Sequence, residues 1–180
     1  MTLDNPSFPE TLGQASEAFS IDEIARLPSP GLAIPTRITF SPDGRLIAFL
    51  WSQEGSLTQQ LYAYHLDTGE IQLLVSPPEG GTTDENVSLE EALRRERARQ
   101  REFGVTSYEW ARNSNRVLIP IQGDLYIQDS PGAPLRKIFS SQDKSVLDPH
   151  FSPDANKISF VQDAEIYVLP VSGGEARQIT

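Results

Sequence analysis

The sequence predicts an all-β fold built from repeated units, and two observations support that prediction. A turn-and-strand motif, Phe40-Ser-Pro-Asp-Gly-Arg-Leu-Ile-Ala-Phe49, recurs as Phe151-Ser-Pro-Asp-Ala-Asn-Lys-Ile-Ser-Phe160 and, in degenerate form, from Trp110 onwards. The spacing is also constant, because Trp110 to Phe151 and Tyr126 to Tyr167 are both 41 residues apart. Repeats of about 40 residues that carry several short strands are typical of β-propeller blades.

The N-terminal part precedes the repeats. Residues 1–19 are polar and contain proline, which predicts a flexible N-terminus. Ser20 with Glu23 forms a capping box, so a short helix is predicted from Ile21 to Leu27. Residues 20–180 are then predicted to form the N-terminal portion of a propeller domain.

Each repeat continues in the same way after its motif. A strand with a central tyrosine follows, and a third strand comes after a turn that contains glycine; the tyrosines are Tyr62, Tyr126 and Tyr167. In the turns, Asp43 and Asp154 are predicted to accept backbone N–H groups. We therefore predict about three blades, at residues 36–76, 104–140 and 146–180, with the three tyrosines on equivalent strands of successive sheets.

An insertion separates the first repeat from the second. Phe40 and Trp110 are 70 residues apart, well over one period, and most of the excess lies at residues 77–103. Residues 88–102 contain no Gly, Pro or β-branched residue, and Ser88 with Glu91 forms a capping box, so a helical arm is predicted. It carries five arginines: Arg94, Arg95, Arg97, Arg99 and Arg101. Such a helix is either a solvated surface element or an arm whose guanidinium groups bind a carbonyl or anionic group.

Composition excludes several classes of function. The chain of 180 residues has a net charge of −10, which gives no general attraction to nucleic acid or to anionic membranes. It contains no cysteine, which excludes disulfides, thiolate metal sites and cysteine nucleophiles. Nothing in the sequence predicts a metal site or a cofactor. The N-terminus lacks the features of a signal peptide and no apolar run is long enough to span a bilayer, so a cytoplasmic location is expected.

The arm and its exit carry a family resemblance. The run Ser88-Leu-Glu-Glu-Ala-Leu-Arg-Arg-Glu-Arg-Ala-Arg99, followed by Phe103-Gly-Val-Thr-Ser-Tyr-Glu-Trp110, resembles the arginine-bearing arm of dipeptidyl peptidase IV-type serine peptidases of the prolyl oligopeptidase clan. It is most similar to the cytoplasmic dipeptidyl peptidase 8 and 9 branch and its bacterial relatives. The likeness covers roughly residues 20–180. In that family the Gly-Val-Thr-Ser-Tyr strand begins a blade.

The resemblance implies a fold and a function. It implies an eight-bladed propeller, of which this chain holds about three blades, that covers a catalytic α/β-hydrolase domain absent from the chain. Such enzymes remove N-terminal dipeptides that have Pro or Ala second, and the propeller gates and positions the peptide. Aligned on the arm, Arg99 would bind the substrate's carbonyl group, with Arg97 and Arg101 as alternatives. The implied partners are a peptide with a free N-terminus and the C-terminal hydrolase domain, and a homodimer is left open.

The chain by itself is expected to be inactive. It contains no Gly-x-Ser-x-Gly nucleophile elbow, so we expect no catalytic residue here, and His65 and His150 are interpreted as structural. The main alternative is a non-enzymatic TolB-like propeller that acts as a binding platform. A weaker alternative is an acylaminoacyl- or oligopeptidase-type relative. The arginine arm discriminates, because neither alternative calls for such an insertion.

Overall fold

Three antiparallel sheets make up most of the structure. The computed structural model describes residue 21, residues 34–52, 57–78, 93, 96, 103–141 and 144, and residues 146–180. Within these residues the four main strands of each sheet follow the chain in order, each paired with the next one along the sequence, and one further short strand joins the first sheet. The predicted all-β fold of successive propeller blades is therefore confirmed.

The strands have the following bounds. The first sheet contains β1 (Thr36–Phe40), β2 (Leu46–Trp51), β3 (Thr58–His65) and β4 (Ile71–Val75), and a fifth strand, β5 (Phe103–Gly104), pairs with β3. The second sheet contains β6 (Glu109–Trp110), β7 (Val117–Ile121), β8 (Asp124–Gln128) and β9 (Leu135–Phe139). The third sheet contains β10 (Leu147–Phe151), β11 (Lys157–Gln162), β12 (Glu165–Pro170) and β13 (Arg177–Gln178).

The repeated tyrosines occupy equivalent positions. Each lies on the third strand of its sheet and faces the second strand, where the partners are Phe49 for Tyr62, Ile119 for Tyr126 and Phe160 for Tyr167. The prediction from the repeat spacing is confirmed in register as well as in strand order. One register therefore relates all three sheets, and positions can be compared between them by counting from the tyrosine.

A leading strand in each sheet was not predicted from the repeat motif. β1, β6 and β10 precede the turn, and the aromatic landmarks Phe40, Trp110 and Phe151 are their last residues. In β1 and β10 the register shifts three residues before the landmark, where Arg37 has φ 53° and Asp148 has φ 49°. Strands β1 and β10 are mostly exposed, and β10 contains a proline. Neither of these two strands shows the alternation of apolar and polar residues that usually identifies a strand.

The turns behave as their sequence predicts. The backbone N–H of Arg45 donates to Asp43 Oδ1 at 3.1 Å, and that of Asn156 donates to Asp154 Oδ1 at the same distance. A hydrogen bond from the Ser152 hydroxyl, helped by those from Asn156, lowers the pKa of Asp154 to about 2. The predicted role of both aspartates is therefore confirmed.

The sheets stack face to face, with the second between the other two. The core between the first and second sheets contains Leu46, Ala48, Leu50, Leu61, Ala63, Leu74, Val75, Val105, Val117, Ile119, Ile121 and Tyr126. The core between the second and third contains Leu118, Leu125, Ile127, Ile138, Val146, Ile158, Phe160, Leu169 and Val171. The second sheet thus buries alternate residues on its two faces, as the period of two in a strand requires.

Little of the predicted helices is described. Ile21 in the first and Leu93 and Glu96 in the second are helical, and the other residues of 21–27 and 88–102 lie outside the described part. None of the described residues forms a helix long and apolar enough to cross a membrane.

Candidate functional site

The base of the predicted arm lies at one corner of the first sheet. The chain leaves this sheet after β4 and returns through β5, which pairs in parallel with Thr58 and Gln59 at the start of β3. The Phe103 N–H donates to the Leu57 carbonyl at 2.8 Å, and the Val105 N–H donates to the Gln59 carbonyl at 2.9 Å. The insertion that contains the predicted arm therefore leaves the first sheet after β4 and returns to the same sheet at β5, with both strands paired to β3.

Gly104 permits this close return. Its φ is +78°, in the left-handed region that favours glycine. A Cβ at this position would also clash with the Gln59 carbonyl oxygen, because the two atoms would be much closer than van der Waals contact allows. The same Cβ would lie 3.0 Å from Thr58 Cγ2 and 3.2 Å from Pro77 Cγ. Glycine is thus required both by the backbone conformation and by the lack of room for a side chain. The contact with Pro77 also shows that the chain leaving the first sheet after β4 lies next to the chain that returns at Gly104.

The position of β5 differs from the expectation that the Gly-Val-Thr-Ser-Tyr strand begins the second blade. Gly104 pairs with the first sheet, and the second sheet begins at Glu109. The physical reason is that the incoming chain must satisfy the open end of β3, whose partner β4 reaches only as far as Leu61. Val105 then enters the core between the two sheets, where it is fully buried.

The predicted substrate-binding arginines lie outside the described residues. Arg99 and its alternatives Arg97 and Arg101 belong to this group, so their placement stays a prediction. Phe103 nevertheless limits where Arg99 can be, because four residues of chain span at most about 14 Å. The pairing of β5 with β3 therefore fixes the C-terminal end of the segment that contains Arg99.

Tyr108 secures the connection between β5 and β6. Its hydroxyl donates to the Ala48 carbonyl at 2.9 Å and contacts the Arg37 carbonyl and the Thr39 hydroxyl. Burial raises the pKa of Tyr108, so the hydroxyl keeps its proton at neutral pH. Trp110 adds a hydrogen bond from Nε1 to Thr39 Oγ1 at 3.1 Å. Sequence analysis gave Tyr108 no role, although its place at the end of the arm's exit motif was a signal.

A histidine joins the second sheet to the third. His150 Nδ1 lies 2.9 Å from Glu109 Oε2, and its Nε2 lies 3.0 Å from Asp148 Oδ1. The hydrogen bond with Glu109, and to a lesser degree that with Asp148, raises the pKa of His150. The other histidine, His65, bonds to Gln72 Oε1 at 2.8 Å within the first sheet. Both histidines therefore make structural contacts, His150 between two sheets and His65 between strands β3 and β4 of one sheet.

Raising the pH should weaken the ion pair between His150 and Glu109. Because the folded pKa is raised, the stabilisation is complete below the unfolded pKa, near 6.5, and is lost as the pH rises through the folded value. The imidazole side chain is 57% exposed. Solvent screening therefore limits the loss in unfolding free energy to about 0.5 kcal/mol.

Urea unfolding of the wild type and His150→Gln tests this. The stability difference between the two should shrink between about pH 5.5 and about pH 8, because only the wild type has a residue at position 150 whose pKa is higher in the folded than in the unfolded state. An equal pH dependence in both proteins would show that the pKa of His150 is the same in the folded and unfolded states, and would contradict the stabilising contact with Glu109.

The described residues contain no group of three or more acidic or histidine side chains placed to hold a metal ion. Their polar contacts connect turns and neighbouring sheets, as when Asn115 Nδ2 donates to Asp43 Oδ2 at 2.7 Å and Arg116 donates to the Ala155 carbonyl at 3.2 Å. The contacts of the described residues are therefore those of a structural framework.

Comparison with known families agrees with this architecture. Residues 99–180 match the family described as the dipeptidyl peptidase IV N-terminal region, which is a propeller domain. The match begins at Arg99 in the predicted arm and continues through β5 and the second and third sheets. This portion of the chain is thus similar to the N-terminal region of dipeptidyl peptidase IV-type enzymes.

Proposed function

We propose that the chain is the arm-bearing first part of the propeller of a serine dipeptidyl peptidase, and that it positions peptides for removal of N-terminal dipeptides. The observation that carries the proposal is the match of residues 99–180 to the dipeptidyl peptidase IV N-terminal region. That family relationship supports a place in a serine peptidase. The nucleophile, histidine and aspartate would come from a hydrolase domain, because the chain has no nucleophile elbow.

The anchored arm supports a role in substrate positioning. An insertion whose two ends meet at Pro77 and Gly104 leaves the sheet stack undisturbed and can project a functional group away from it. We propose that Arg99 is that group, with Arg97 and Arg101 as alternatives. A guanidinium offers paired donors in one plane, which suits a peptide carbonyl group.

We further propose substrates that have Pro or Ala second and a cytoplasmic protein close to the dipeptidyl peptidase 8 and 9 branch. The arm sequence from Ser88 to Arg99 supports this finer placement. The alternative of a TolB-like binding platform accounts for the three sheets, but it gives no reason for an arginine-rich insertion or for an exit strand that requires glycine.

Product analysis tests the proposal. The assay uses a polypeptide in which this propeller portion is joined to its hydrolase domain, and peptides that have a free amino terminus and proline second. Mass spectrometry should find the N-terminal dipeptide and the shortened peptide. The same peptides with an acetylated amino terminus are the control and should stay intact. Release of single residues, internal cleavage, or equal cleavage of the acetylated peptides would contradict the proposal.

A further inference from the structure

The three repeat turns differ in one backbone hydrogen bond. In the first turn the Gly44 N–H donates to the Ser41 carbonyl at 2.9 Å, and in the third the Ala155 N–H donates to the Ser152 carbonyl at 2.8 Å. The equivalent residue of the second turn is Ser114, which is exposed and whose N–H has no acceptor among the residues that the structure describes. The backbone nitrogen of Ser114 is therefore free to react with a neighbouring group.

The neighbouring group is the side-chain amide of Asn113. This asparagine stands where the other two turns have Asp43 and Asp154. It is exposed, and within the described part of the chain its amide makes one long hydrogen bond, from Nδ2 to the Asp154 carbonyl at 3.4 Å. A loosely held asparagine amide thus precedes an unbonded backbone nitrogen, and the residue that carries this nitrogen has a small side chain. That combination favours attack of the nitrogen on the side-chain amide carbon.

We propose that Asn113 is a site of spontaneous deamidation. The Ser114 nitrogen loses its proton to water and bonds to Asn113 Cγ, while the bond from Cγ to Nδ2 breaks, so that ammonia leaves and a succinimide ring remains. Water then opens the ring at Cγ to give aspartate, or at the main-chain carbonyl carbon to give isoaspartate. The net reaction consumes one water and releases one ammonia, with no oxidant or reductant. This inference goes beyond the proposed function and does not depend on it.

The other two asparagines of the described residues are held more firmly. Asn115 Nδ2 donates to Asp43 Oδ2 at 2.7 Å, and Asn156 Nδ2 donates to Asp154 Oδ2 at 3.0 Å. Both carboxylates are ionised at neutral pH, because hydrogen bonds, chiefly from the serine two residues earlier, lower their pKa values. If a hydrogen bond to an ionised group must break first, a reaction slows by about 10-fold or more. Each of these asparagines is also followed by a long side chain, which crowds the attacking nitrogen more than serine does.

The two products act differently on the second turn. Aspartate at position 113 provides the carboxylate that Asp43 and Asp154 provide in the equivalent turns, where it accepts the N–H two residues further on. Isoaspartate instead adds a methylene group to the backbone within the turn. Both products lack the amide N–H that the Asp154 carbonyl accepts. Deamidation at this position therefore removes a contact between the second and third turns.

Incubation of the chain at mildly alkaline pH, followed by digestion and tandem mass spectrometry, measures the reaction at each asparagine. Deamidation is recognised by the mass gained when oxygen replaces NH. Asn113 should react about 10-fold faster than Asn115 and Asn156, because only those two must first break a hydrogen bond to a carboxylate. In urea the turns unfold, so Asn115 and Asn156 should react faster than in the folded chain and the difference should shrink.

Ser114→Val is the variant that tests the chemical route. Its branched side chain lies next to the attacking nitrogen, so it should slow deamidation of Asn113 and leave the rate at Asn156 unchanged; circular dichroism verifies its fold. The proposal is overturned if Asn113 stays intact in the folded chain, if it reacts no faster than Asn115 and Asn156, or if Ser114→Val deamidates at the wild-type rate.

Discussion

Gly104→Ala should lower the free energy of unfolding by about 3 kcal/mol or more, the largest effect expected for an added methyl group at any glycine that the structure describes. Alanine at φ +78° costs about 1–2 kcal/mol by itself. The new Cβ would also collide with the Gln59 carbonyl oxygen, which belongs to the backbone of β3 and cannot move without loss of the β3–β5 pairing. Separation of β5 would then expose Val105, which is fully buried beside it.

Gly44→Ala is the matched control. Gly44 also has positive φ, +69°, but nothing lies within 4 Å of the position of its Cβ. The equivalent residue of the third sheet is Ala155 with φ 56°, so an alanine is accommodated at this place in the repeat. The expected loss is about 1 kcal/mol. Urea unfolding followed by tryptophan fluorescence measures both variants, and equal losses would show that β5 does not approach β3 closely.

Arg99→Ala should reduce kcat/KM for dipeptide release by about 10- to 150-fold in the enzyme that contains the hydrolase domain. The reason is the loss of a charge-assisted hydrogen bond to the substrate carbonyl, which typically contributes about 1.5–3 kcal/mol. Arg99→Lys should also be impaired, because an ammonium group does not reproduce the planar pair of donors. Gly104→Ala should lower kcat/KM too, since it releases the anchor from which the arm extends.

The repeats could be predicted because they are local in sequence. The Ser-Pro-Asp turn and the tyrosine spacing each lie within one unit, and they were sufficient for the sheets, their order and the tyrosine register. The leading strands were missed because β1 and β10 are mostly exposed and β6 has only two residues. In such strands the hydrophobic pattern that identifies a strand is absent.

Contacts between units were harder to predict. The parallel pairing of β5 with β3 joins residues 45 positions apart, such as Thr58 and Phe103, and nothing local in either segment specifies the other. The ion pair between His150 and Glu109, in contrast, could have been predicted from the repeats. Both residues immediately precede an aromatic landmark, as Thr39 does in the first sheet, so an alignment of the repeats would have placed them on neighbouring leading strands.

The candidate site was predicted only in part. The insertion and its glycine exit were found from the excess length and the end of the helix-forming run. The choice of Arg99 among five arginines came from family resemblance, since helix propensity and charge do not distinguish the arginines from one another. Selection among them needs the position of a substrate, which a sequence of one chain does not contain.

A comparison of arm variants tests the central claim most directly. The measurement is kcat/KM on a peptide that has proline second, for wild type, Arg99→Ala and Arg94→Ala, in the enzyme that contains the hydrolase domain. Arg94 lies five residues earlier, about 140° around a helix, and serves as the control. We predict a loss of about 10- to 150-fold for Arg99→Ala and little change for Arg94→Ala. Wild-type efficiency in Arg99→Ala together with a loss in Arg94→Ala would contradict the account and leave the arm without its proposed role.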